Sequence, residues 1–158
     1  MVEIRTAEAA AVEIRTAVAA DLPALRRLFR RSSLSNDGDR ELMLAHPELV
    51  GPTAEAVAEG RTRVAVAADG TILGFATGRP IDSGVIELED LFVDPDSMRR
   101  GIGRRLVADV VARARREGVA QVEVTANPHA DAFYRSVGFV YLGTTGTEFG
   151  PAARMVLR

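Results

Sequence analysis

The residues best suited to chemistry form one short run, Arg99-Arg100-Gly101-Ile102-Gly103-Arg104. An apolar stripe at helical spacing begins at Ile102, so both glycines fall at a helix start. The first turn of a helix has unpaired backbone N–H groups and the positive end of the dipole, and it favours an anion. Gly101 and Gly103 remove side chains that would hold a pyrophosphate off the backbone. Arg99, Arg100 and Arg104 add positive charge close by. The same six residues also fit a glycine-started helix carrying solvated arginines. The dinucleotide fingerprint G-x-G-x-x-G does not apply, because it needs glycine where Leu106 stands.

Three acids precede this run: Glu87, Glu89 and Asp90. On a strand, Glu87 and Glu89 share one face and Asp90 points to the other. Such acids can remove a proton from a substrate or hold a cation, or they can line the solvated end of a sheet. Other chemistries are excluded by composition. The chain has no cysteine, which removes disulfides, thiolate metal sites and Cys-based covalent catalysis. All 20 cationic side chains are arginine; a Walker-type loop and a Schiff-base enzyme both need lysine. His46 and His129 are isolated, so no metal is expected. The G-x-S-x-G nucleophile motif does not occur.

These residues need a scaffold, and the chain is long enough to supply one. It has 158 residues, 47% hydrophobic and 27% charged, with a net charge of -2. That suits one globular α/β domain and argues against a nucleic-acid binder. No apolar run reaches a membrane span and the start does not resemble a signal peptide, so the expected location is cytoplasmic. Val2-Glu3-Ile4-Arg5-Thr6-Ala7 recurs as Val12-Glu13-Ile14-Arg15-Thr16-Ala17. The second copy leads into a helix-start pattern at Asp21-Leu22-Pro23, so residues 1–11 read as an extension and 12–158 as the domain.

The spacing predicts a strand at about 12–17 and a helix at about 21–31. Segment 32–60 reads as irregular, with turn chemistry at Ser35-Asn36-Asp37-Gly38 and a short helix near Leu42 to Leu44. Asp69-Gly70 predicts a hairpin between Val64–Val66 and Ile72–Ala76. Further elements are a strand at 85–93, a helix from Ile102 to Gly118, and a strand at 121–126. A short helix at 129–136 and strands near 138–144 and 153–157 complete the chain.

Leu91-Phe92-Val93-Asp94-Pro95, a short loop, Arg100-Gly101-Ile102-Gly103 and a long helix together resemble the acetyl-CoA-binding motif of the GNAT N-acetyltransferases, Q/R-x-x-G-x-G/A. Asn127, Ala130, Phe133, Tyr134, Gly138 and Phe139 resemble the family's second cofactor segment. Ile14-Arg15, Ala17 and Asp21-Leu22 are similar to its usual opening. One departure stands out: the Q/R position is Met98.

The resemblance implies a mixed, mostly antiparallel sheet flanked by helices and splayed between the fourth and fifth strands. It implies acetyl-CoA as co-substrate, with pantetheine on the backbone of Leu91, Phe92 and Val93, pyrophosphate on residues 99–104, and Asn127 in contact with the cofactor. It implies a small amine as acceptor, with a protein or peptide acceptor or a non-catalytic acyl-CoA-binding domain as alternatives. Family members are often homodimers. An alkyl amine with a pKa near 10.4 is neutral in only about one molecule per thousand at pH 7, so a carboxylate must take its proton. Glu87 occupies the place of the base in histone-type members. Glu89-Asp90-Leu91-Phe92-Val93 is similar to the acceptor-binding acids of the diamine and polyamine enzymes. Tyr134 matches the general acid that protonates the departing thiolate.

Overall fold

Gln121–Ala126 shows in one strand how the chain makes its sheet. Val122, Val124 and Ala126 are buried while the residues between them are partly exposed, the period of two that a sheet requires. The computed structural model describes residues 11–148 and 150–158. The first VEIRTA copy therefore lies outside the described residues.

The strands are β1 (Glu13–Thr16), β2 (Thr62–Val66), β3 (Ile72–Asp82), β4 (Val85–Val93), β5 (Gln121–Ala126), β6 (Val140–Thr147) and β7 (Gly150–Leu157). The helices are α1 (Leu22–Leu34), α2 (Asp37–Ala45), α3 (Ala54–Ala58), α4 (Ile102–Arg116) and α5 (Asp131–Ser136). The sheet order is β1-β2-β3-β4-β5-β7-β6. Its β4·β5 ladder is parallel; the β1·β2, β2·β3, β5·β7 and β6·β7 ladders are antiparallel. The parallel ladder runs from Val85↔Gln121 to Leu88↔Val124, and β4 continues past it to Val93. This is the mixed, mostly antiparallel α/β class expected from the resemblance.

The chain divides into two compact units. The first holds the described residues up to Thr77 together with Asp90–Leu106; the second holds Gly78–Glu89 and Val107–Arg158. In the first, Ala17, Leu25, Leu28, Val57, Val64 and Phe75 form the buried core. Phe92 packs against it, its ring 4.9 Å edge-on from Phe29 and 5.5 Å from Phe75. Gly74 allows β3 to come this close: a Cβ there would lie 2.9 Å from the Phe92 carbonyl oxygen. Thr62 and Thr77, both fully buried, face each other across β2 and β3 and bond through their hydroxyls at 2.9 Å.

In the second unit Leu88, Val110, Ala114, Val122, Val124, Met155 and Val156 are buried. Tyr134 and Phe139 join them, their ring centroids 5.3 Å apart.

Segment 32–60 is more regular than its sequence suggests. Asn36 does not initiate a free turn; its side chain accepts the Asp39 N–H at 2.8 Å and caps α2. Thr53 caps α3 in the same way, accepting from Ala56 at 3.0 Å. Turn residues and helix caps are the same residue types, because both accept local backbone N–H groups.

Candidate active site

The first unit carries the anion cradle, and its approach is fixed at several points. Asp94 N–H donates to the Leu73 carbonyl at 2.8 Å. The Asp94 carboxylate accepts from Asp96 N–H at 2.9 Å and from Arg31 Nη1, on α1, at 2.7 Å. Arg31 Nη2 reaches Asp96 at 3.0 Å. Beyond this anchored turn the backbone is extended at Met98 (φ -64°, ψ 155°) and enters the left-handed region at Arg99 (φ +66°) and Gly101 (φ +77°). A turn built on left-handed residues ahead of a helix start presents backbone N–H groups in a concavity that suits an anion. Helix α4 starts immediately after, held by Ile102, which is buried.

Arg99, Arg100 and Arg104 are exposed around this concavity, while Gly103 is half-buried within the first turn. Beside it lies a cavity of about 760 Å³ with Val12, Leu73 and Ile102 on its apolar wall and Arg99, Arg100 and Arg105 at its edge. Arg105 also donates to the Val12 carbonyl at 2.9 Å, holding that segment against α4. A volume of this order accommodates a small organic ligand.

The second unit carries a row of charges across four strands. Arg79, on β3, pairs with both Glu87 and Glu89 on β4. Arg154, on β7, donates to Glu87 at 2.8 Å and to the Thr125 hydroxyl at 2.6 Å, and lies 3.4 Å from Glu123. The shared partner Arg79 puts Glu87 and Glu89 on one face, as their spacing predicts. Both oxygens of Glu87 are engaged, Oε1 by Arg154 and Oε2 by Arg79.

Tyr134 lies on α5, 7% exposed, between Phe133 and Phe139 at ring distances of 5.3 Å each. Asn127 is exposed at the end of β5, where its carbonyl accepts the Ala130 N–H at 2.9 Å. Among the described residues no cluster of His, Asp or Glu could hold a metal.

The Acetyltransferase (GNAT) family model matches residues 22–139. The chain belongs to this family. The match begins at α1 and takes in the cradle, β5 and α5. The chain is 36% identical over 114 residues to streptothricin acetyltransferase of Streptomyces lavendulae, covering 66% of this chain and 60% of that one. It is 43% identical over 81 residues to the N-alpha-acetyltransferase RimI of Mycobacterium tuberculosis, covering 47% and 49%. The chain thus spans less than two thirds of the length of both curated relatives, 60% and 49%. Among solved structures, a GCN5-related N-acetyltransferase from Kribbella flavida superposes with a TM-score of 0.68 at 26% identity, covering 94% of this chain and 98% of that one.

Set against the GNAT pattern, Leu91, Phe92 and Val93 form the half-buried end of β4 in the first unit, with Asp90 at its boundary. Residues 99–104 follow in the same unit. Met98, at the family's Q/R position, is 58% exposed. Glu87, Glu89, Asn127 and Tyr134 all belong to the second unit. Sequence reasoning missed Arg31, Arg79, Thr125 and Arg154. The two acids on one face of β4 call for cations opposite, but which residues supply them depends on cross-strand register.

Proposed function

We propose that this GNAT chain is an acetyl-CoA-dependent N-acetyltransferase that moves the acetyl group directly onto a primary amine of a small molecule. The cradle at Arg99–Gly103, with two left-handed residues leading into the start of α4, is the observation that carries the reading. It fits a pyrophosphate: Gly101 is in the left-handed region, and nothing stands within 4 Å of where its Cβ would be.

The cofactor supplies a thioester. Residues 99–104 hold its pyrophosphate and the backbone of Leu91, Phe92 and Val93 holds the arm, with Asn127 as a further cofactor contact by the family resemblance. Glu89 binds the acceptor ammonium with Asp90 nearby in sequence, and through water it takes the proton that frees the lone pair. The amine nitrogen then forms a bond to the thioester carbon. A backbone N–H near Val93 stabilises the oxygen as it becomes negative. As the C–S bond breaks, the electron pair leaves on sulfur and Tyr134 gives it a proton. The nitrogen sheds its second proton, Tyr134 is reprotonated, and one proton overall goes to solvent. Glu89 is the more exposed of the two acids, 32% against 19% for Glu87, which favours it over Glu87 for meeting the acceptor.

A peptide amine is the second reading, supported by the similarity to RimI. The proposal treats residues 12–158 as one acetyltransferase domain, cytoplasmic and metal-independent, with a homodimer as one assembly it allows. Net charge of -2 speaks for a partner other than nucleic acid. No helix among the described residues is long and apolar enough to cross a membrane.

The test is thiol release from acetyl-CoA with small amines, comparing the native chain with Tyr134→Phe and Glu89→Gln. Amine-dependent release that falls in both variants is expected. Undiminished turnover in both would remove these role assignments.

A further inference from the structure

The ion cluster of the second unit is graded in exposure. The Glu87, Glu123 and Arg154 side chains are 19%, 19% and 24% exposed. Arg79 and Glu89 are 48% and 32% exposed. Within the shielded part Arg154 serves Glu87, Thr125 and Glu123, and Arg79 takes the other oxygen of Glu87. The most exposed members, the ones a solute meets first, are the Arg79 guanidinium and the Glu89 carboxylate.

We propose that the acceptor is amphoteric, a small molecule carrying a primary amine together with a carboxylate or comparable anion, and that Arg79 determines this specificity. The inference rests on the N-acetyltransferase reading above and names its substrate class. An ammonium that binds Glu89 competes with Arg79 Nε, which already pairs with that carboxylate. Arg79 keeps its hold on Glu87 through Nη2, so it stays on the face with an N–H edge released. An anion on the acceptor fills that edge with charge-assisted hydrogen bonds. A neutral amine leaves it to water, and a diamine brings a second positive charge beside a fixed guanidinium, which is repulsive.

The experiment measures thiol release from acetyl-CoA by the full chain. It compares the common α-amino acids with their amides, and γ-aminobutyrate with putrescine. The anionic member of a turned-over pair should have the higher kcat/KM by about tenfold or more, the worth of one hydrogen bond to a charged group. Arg79→Gln should bring that ratio close to one by raising KM for the anionic acceptor, and Arg79→Lys should restore part of it. Preference for amides or for putrescine overturns the inference. So does an Arg79→Gln variant that lowers all acceptors alike, because that is the signature of a merely structural residue. Calorimetry on the CoA-saturated chain separates the two levels. Amino acid binding without turnover overturns the catalytic reading and keeps amphoteric recognition; neither binding nor turnover overturns both.

Discussion

Arg31 and Asp94 are 63 residues apart in sequence, and their side chains meet at 2.7 Å. Asp94 is only 13% exposed, whereas Arg31 is 53% exposed. The pair fastens α1 to the turn that launches the cradle, so a helix far from the glycine motif fixes where its N–H groups stand. An exposed guanidinium adds little to global stability. Arg31→Gln should leave the melting temperature nearly unchanged while raising KM for acetyl-CoA about two- to fivefold, the range of such a pair. A KM equal to that of the native chain would show that the cradle holds its shape unaided.

Gly101 tests the backbone argument. Its φ is +77°, with open space where a side chain would begin. Gly101→Ala therefore meets no clash, only the cost of a left-handed L-residue, about 1–2 kcal/mol. The chain relieves that cost by flattening the cradle, so acetyl-CoA affinity should drop about tenfold, as titrated by calorimetry. Arg99 has a similar φ of +66° and tests the opposite sign. Arg99→Gly should raise the melting temperature slightly and still weaken cofactor binding, because strain and a charge are lost together.

Asp21 gives the chain an acid-sensitive joint. Its carboxylate accepts two hydrogen bonds from Arg15, at 2.8 and 3.1 Å, and one from the Val18 N–H at 2.8 Å. The Arg15 hydrogen bonds, chiefly, hold its pKa below the usual Asp value, against the opposing effect of burial. A depressed carboxyl pKa means the folded chain binds its proton later than the unfolded chain does. The stabilisation is thus complete above the ordinary Asp pKa and is lost as pH falls toward the folded value. Asp21→Ala should cost about 2 kcal/mol at neutral pH and flatten the acid limb of the stability curve. Denaturant unfolding across pH reads both effects.

Tyr134 separates packing from chemistry. Its ring lies against Phe133 and Phe139, and Tyr134→Phe keeps that packing. Stability should change by about 1 kcal/mol or less, while kcat falls about a hundredfold or more, the worth of a general acid. A kcat within twofold of the native value would reduce Tyr134 to a core residue.

Particular residues explain what the sequence disclosed and what it hid. β4 and β5 are legible to the residue, because Asp94-Pro95 ends the apolar run from Val85 to Val93 and apolar alternation marks Gln121 to Ala126. The cradle was legible because glycines and arginines cluster locally. Helix α2 is legible only in part: the short helix near Leu42 to Leu44 falls inside it, but its start is hidden because Asn36 can close a turn or cap a helix. β3 was expected to end at Ala76 and instead runs on to Asp82, through Gly78 and Pro80. That extension carries Arg79 to Glu87 and Glu89. Arg79 and Arg154 were invisible as site residues because cross-strand register, which brings them to Glu87, cannot be read from one strand at a time.

The most direct test of the account is acetyl-CoA thiol release by the native chain, measured with small amines, with N-terminal peptides and with no acceptor. The account predicts release that depends on a small amine and exceeds both the peptide and the acceptor-free rates. Acetyl-CoA that raises the melting temperature while no small amine triggers release would contradict it.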